Sequence, residues 1–318
     1  MRILAAVAFA CVLPASLNAQ GLSGPVSGFV HDSRTGTLRP INGLPGASTL
    51  GPSLNLRPLR AAAVRSDLDL AAGIDSESGA ISVVRSLSRQ PSERQYEGWL
   101  AEATGLAFDA AGKRLFAWSK NRSQMIVVSD LTAEPAVSAS MDTSGIGDVV
   151  CAGANDNMLL VATASDSGAR LFAIPIQSGS LGEPLPAGVF QSVSDIWLSD
   201  SDTAFIADRE ADSVFVMTSL QGSRDVSALV SARDGVSKPV SLYLHRDRLA
   251  IANAGDSTAL IVNTQTRDLT NVPLASKPTR CQRLGADGLV AMNEAGVHPV
   301  TMLDLAEGAS YFIPADLP

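Results

Sequence analysis

The side chains of this chain that could do chemistry are mostly carboxylates, and they fall in turn-rich positions on either side of short apolar runs. Asp148 and Asp195, with Arg60, Thr104, Lys238 and Arg280, each stand just before such a run. Asp208, Glu210, Asn253 and Asn293, with Asp75, Glu77, Asp166, Asp212, Asp256 and Glu294, stand at or just after the next one. Several carboxylate and amide oxygens brought to one face would suit a hard cation or a basic or polyol ligand. The same residue types are also what tight turns require, because Asp and Asn side chains hydrogen-bond their own backbone. The most calcium-like string is Asp208-Arg209-Glu210-Ala211-Asp212, but Ser213 stands where a calcium loop needs glycine and Ser219 where it needs glutamate. No metal site and no cofactor is expected.

Other chemistries find little support. His31, His245 and His298 are expected in a hairpin, in a turn on the opposite face and near a late strand, as surface or turn residues that do not meet in a zinc site or a triad. No nucleophile elbow, phosphate loop, H-E-x-x-H or C-x-x-C occurs after residue 20, and Gly145-Ile146-Gly147 lacks the third glycine and the helix of a dinucleotide fingerprint.

The elements that must position these residues are announced by a recurrence. LAAGI, LFAWS, LVATA, AFIAD, LAIAN and LVAMN begin at Leu70, Leu115, Leu160, Ala204, Leu249 and Leu289, at intervals of 45, 45, 44, 45 and 40 residues. Periods of about 40 to 45 residues with several strands each are the mark of propeller blades. The fourth repeat shows four strands, SDIWLSD, DTAFIAD, DSVFVMTS and DVSALVS, and the fifth follows suit. We call them a to d from the axis outward. The b strands are apolar nearly throughout, as expected where both sheet faces are covered.

The stretch from 26 to 45 reads as two strands around Arg34-Thr35-Gly36, a c to d hairpin without an a to b pair. Six a to b pairs predict an all-β, six-bladed β-propeller of four antiparallel strands per blade. The hairpin would close the ring, which must be closed to hide strand edges, by packing onto the last blade or forming a partial seventh. Seven blades is the alternative. The expected organisation is a signal peptide over 1–19, hairpin and linker over 20–58, and six repeats over 59–318 as one domain with the hairpin. Cys151 and Cys281 then fall in inner strands across the ring and stay as unpaired, buried thiols. Trp99, Trp118 and Trp197 fall in strand patterns and are expected in the core.

The first 20 residues, MRILAAVAFACVLPASLNAQ, carry Arg2, a short apolar run and Ala19 before Gln20, as in a cleaved secretory signal. The run is shorter than the roughly 20 residues that span a bilayer. We therefore expect an exported protein, periplasmic or extracellular, with no membrane span after cleavage. A net charge of −8 argues against nucleic acid as a partner. A monomer is expected.

Two stretches carry a family resemblance. AFIADREADSVFVM (204–217) resembles an NHL-type blade core, and LAIANAGDSTALIVNTQTRDLTNV (249–272) looks like a YVTN-type blade. Both families form β-propellers with Asp or Asn ending the second strand, here Asp208, Asn253 and Asn293. The resemblance implies a propeller that binds partners or small molecules, and it carries no catalytic residue. No recurrent GH or WD dipeptide marks the signalling type. The expected function is an exported binding or interaction scaffold for a protein, glycan or small molecule, without evident catalysis. The alternative is a lactonase-like hydrolase or lyase working through loop-face carboxylates such as Asp148, Asp195 and Glu210, because YVTN-like propellers include lactone hydrolases.

Overall fold

In the computed structural model, which describes residues 24–315 except 178, 200–201 and 286–287, the chain folds into a β-propeller of seven sheets. Blade 1 is three-stranded: Val26–Asp32, Thr37–Asn42 and Thr49–Leu50. Blades 2 to 7 are the six repeats, with inner strands Leu59–Arg65, Gly105–Phe108, Val149–Ala154, Val193–Leu198, Pro239–His245 and Gln282–Arg283. Within each repeat the strands pair antiparallel in sequence order, with one exception. In blade 4 the long strand Gly168–Gln177 pairs both the short Ser180–Leu181 and the outer Leu185–Phe190.

The six-blade expectation is thereby corrected to seven, and the packing gives the reason. Seven buried apolar clusters lie one at each blade interface, including two on the N-terminal hairpin. On one side Phe29 and Leu38 pack against Leu59, Ala62 and Val64 of blade 2; on the other, Val30 and Ile41 pack against Leu284, Ala291 and Met302 of blade 7. Adjacent residues of one strand point to opposite faces, so a single hairpin serves both neighbours. It is a wedge with its own sheet, not an extra strand on the last blade. Its tip is tied to blade 7 by the parallel bridge of Asp32 with Ala295, where Ser33 N donates to Ala295 O at 3.0 Å and Ala295 N to His31 O at 2.9 Å.

The apolar b strands behave as their sequences require: every residue of Leu70–Asp75 and Leu115–Ser119 is buried. Alternate side chains enter the clusters on either side, so none of these strands has a wet face. Small residues permit the close approach of neighbouring blades. A Cβ on Gly153, in the inner strand of blade 4, would lie 2.4 Å from Ile196 O of blade 5. No helix among the described residues is long and apolar enough to cross a membrane. Residues 1–23, where the signal-peptide expectation falls, lie outside the described residues.

Candidate functional site

The inner strands of blades 2 to 7 enclose a channel of about 580 Å³. Its wall changes character around the ring. Blades 3 and 4 offer apolar surface from Leu106, Ala107, Phe108, Ala152, Gly153 and Ala154, whereas blades 5 to 7 and blade 2 offer Asp195, Trp197, Ser241, Tyr243, His245, Arg280, Cys281, Arg283 and Arg65. Blade 1 supplies no residue to the wall.

Two layers of polar groups can be read along these strands. In the upper layer, toward the b to c turns, Asp195 Oδ2 accepts hydrogen bonds from Ser241 Oγ at 2.7 Å and from Leu242 N at 2.8 Å, and Oδ1 accepts from Ile196 N at 2.8 Å. One carboxylate thus stitches blade 5 to blade 6. Burial raises its pKa, and the opposing hydrogen bonds from Ser241 and Leu242, with the Arg280 charge, do not cancel that effect. The two thiols feel the same environment. Burial pushes both Cys151 and Cys281 above the usual thiol range, the Asp195 charge adds to it, and both are unpaired. Such thiols are poor nucleophiles, because the thiolate is the reactive form.

Above this layer, at the blade 1 to blade 7 junction, Arg280 donates to Ala62 O at 2.7 Å and stands 3.3 Å from Glu294 Oε1, which is also 3.3 Å from His31 Nδ1. The other ring nitrogen of His31 lies 2.9 Å from Leu59 O. Burial works to raise the Glu294 pKa, but the His31 contact and the Arg280 charge outweigh it and hold the carboxyl below its ordinary value. His31 is only 2% exposed. The expectation of a surface histidine is corrected here: the hairpin carries it into the blade interface, where its ring bridges blades 2 and 7.

The lower layer lies two residues further along the strands, about 7 Å away. Trp197 and Tyr243 meet edge to face with centroids 5.1 Å apart. Arg65 forms a bidentate pair with Asp67, 2.9 Å at each oxygen, and Arg283 Nη1 approaches the same carboxylate at 3.2 Å. Burial tends to raise the Asp67 pKa, but the hydrogen bonds and charge of Arg65, with the charge of Arg283, bring it below the usual value. Burial raises the Tyr243 hydroxyl's pKa against the pull of the Arg283 charge.

The loop-face candidates do not converge on this channel, apart from Asp195. Asp208, 1% exposed, accepts from the backbone N–H groups of Gln191 at 2.7 Å, Ser192 at 2.9 Å and Ala211 at 3.3 Å. Asn253, fully buried, accepts from Ser237 N at 3.1 Å and donates to Gly235 O at 2.8 Å. Asn293 accepts from Thr301 N at 2.8 Å and donates to Pro299 O at 2.9 Å. Each stands at or just after the end of a b strand and satisfies loop backbone, Asp208 and Asn253 in the connection before the inner strand and Asn293 in the b to c connection. Asp148 forms a 2.9 Å surface pair with Lys120, and Glu210 lies exposed in its turn. No group of three or more His, Cys, Asp or Glu among the described residues could hold a metal ion. Sequence reasoning passed over Trp197 as core and did not single out Ser241, Tyr243, Arg65 or Arg283. The available signal was polar or amphipathic side chains inside strands that are otherwise apolar.

No model of a known protein family matches the chain, and no curated protein matches it in sequence. Several solved structures share the fold. The virginiamycin B lyase of Staphylococcus aureus superposes with a TM-score of 0.59 at 13% identity, over 80% of this chain and 83% of the lyase. AztD from Citrobacter koseri gives 0.58 at 13% identity, over 92% and 82%. A chain of a nidogen/laminin complex gives 0.52 at 12% identity, over 77% and 91%. At such identities the likeness is one of fold, which hosts a lyase in one case and a protein complex in another.

Proposed function

We propose that this chain is an exported β-propeller that binds a small molecule in the channel enclosed by its inner strands, without catalysis of its own. The observation that carries the reading is the channel itself. Its volume of about 580 Å³ falls in the range of small-molecule sites, roughly 300 to 1,000 Å³, and its wall joins an apolar side to a polar one. A protein or glycan bound on the loop face would instead need exposed anchors there, and Asp208, Asn253 and Asn293, expected to supply them, are spent on loop backbone. Acid and base work by paired carboxylates is not favoured, because both carboxylates of the channel wall are engaged, Asp195 through both oxygens and Asp109 with Lys113 N and Arg114 Nε. Export rests on the first 20 residues of the sequence.

The test is a thermal-shift screen of a broad metabolite panel against the protein and against Ala63→Trp, which fills the channel from the half-buried wall position 63. Compounds that stabilise the parent and lose their effect in a variant of unchanged circular dichroism support the reading. Compounds whose effect survives Ala63→Trp bind elsewhere and overturn it.

A further inference from the structure

The geometry points to an amphiphilic organic anion as the ligand of the channel, its charged head at Arg283 and Tyr243 and its apolar body along blades 3 and 4. This inference rests on the channel being the binding site and adds the chemical class of what it takes.

The head group is placed by what remains unspent in the lower layer. Asp67 answers two guanidinium groups, Arg65 through both oxygens at 2.9 Å and Arg283 at 3.2 Å, so the trio carries one net positive charge. Arg65 is nearly spent, since with the Asp67 pair and the Nη1 donations to Asp109 O at 3.2 Å and Ala110 O at 3.1 Å four of its five N–H groups are engaged. Arg283 is different. Beyond the Asp67 contact it makes, among the described residues, only a long Nε donation to Gly285 O at 3.5 Å, and its side chain keeps 31% of its exposure. The Tyr243 hydroxyl, on a residue only 2% exposed, has no hydrogen-bond partner among the described residues, and its ring is held in place by Trp197. A fixed guanidinium and a fixed hydroxyl, both donors on the channel wall, complement a carboxylate or sulfonate.

The body and its direction follow from the rest of the wall. Leu106, Ala107, Ala152 and Ala154 offer no side-chain hydrogen-bonding group, so that side suits a hydrocarbon or aromatic surface. Asp195, about 7 Å further up, disfavours an anion in the upper layer, which leaves the head group in the lower one. A channel with a spare cation is also unlike the chain as a whole, whose net charge is −8.

The experiment compares 8-anilinonaphthalene-1-sulfonate with its uncharged parent N-phenyl-1-naphthylamine by fluorescence titration of the full chain. The two share an apolar body and differ by the sulfonate. The sulfonate should bind about tenfold tighter or more, as the loss of one charge-assisted hydrogen bond implies, and 0.5 M NaCl should weaken it while leaving the neutral dye alone. Arg283→Gln should erase the preference and Arg283→Lys keep part of it. Ala63→Trp should abolish both dyes. Equal affinity of the two dyes for the parent protein, without salt dependence, overturns the anion assignment but leaves the channel standing if Ala63→Trp still removes them. Binding that Ala63→Trp does not touch, or failure of both dyes to bind the parent, overturns the channel reading as well. The salt dependence keeps the test valid should Arg283→Gln disturb folding.

Discussion

Truncating the two buried faces of blade 1 separately measures how the ring is closed. Leu38 and Ile41 are both fully buried, Leu38 against blade 2 and Ile41 against blade 7. Removing a fully buried Leu or Ile side chain to Ala costs about 2 to 5 kcal/mol, from lost transfer energy and the cavity left behind. At an unfolding entropy of about 2.1 cal/mol/K per residue, that is a fall of about 3 to 8 °C in Tm for a chain of this size. A wedge between two blades predicts that Leu38→Ala and Ile41→Ala fall in the same range. Urea denaturation followed by far-ultraviolet circular dichroism gives both values, read from the midpoint at constant slope. A loss below about 1 kcal/mol in either variant, with the other in range, would mean that the hairpin leans on one neighbour only. That result would refute the seven-interface ring.

Three further outcomes test the assignment of roles. Asp208→Ala should destabilise by about 2 to 4 kcal/mol, because three backbone donors lose the charged acceptor that buried Asp208 supplies, whereas Glu210→Ala should stay within about 0.5 kcal/mol as an exposed turn residue; comparable losses in denaturant midpoint would contradict this division. Asp195 has a folded-state pKa raised by burial, so its charge costs stability as pH rises above about 3.8, and the Tm of Asp195→Asn relative to the parent should climb from pH 4 toward neutrality. A flat or falling difference would show that burial does not govern this carboxyl. Gly153→Ala places a Cβ 2.4 Å from a backbone oxygen and should cost about 1 to 3 kcal/mol through overpacking, while a neutral result would mean that blades 4 and 5 are looser than their packing indicates.

Much of the architecture was legible in the sequence because blade packing imposes its own pattern. The 44 to 45 residue recurrence of apolar b strands survives in Leu70–Asp75, Leu115–Ser119 and Thr203–Asp208 because both faces of each sheet are covered. The blade number was less legible. Counting a to b pairs misses blade 1, whose three strands form a sheet yet place nothing on the channel wall. His31 illustrates the same difficulty, since a histidine beside a turn gives no hint that the hairpin is wedged between two blades.

The site was harder still. Asp208, Asn253 and Asn293 drew attention because they recur, but recurrence at the blade period reports a demand of the fold, here a polar side chain at the end of a b strand that satisfies loop backbone. Function on a ring of near-identical units resides in what breaks the repetition. Tyr243 and Arg283 do so, at places where other inner strands carry apolar residues such as Ala107 and Ala152. Nothing in local sequence distinguishes these residues from ordinary strand positions until the ring brings the six inner strands together.

The central claim, that function resides inside the ring, is tested most directly by a crystal structure of the protein with the tightest compound from the screen. The account predicts density for that compound between the inner strands, against Leu106 and Ala107 on one side and Trp197 and Tyr243 on the other. Density on the outer loop face or along the rim, with the channel filled only by water, would contradict it.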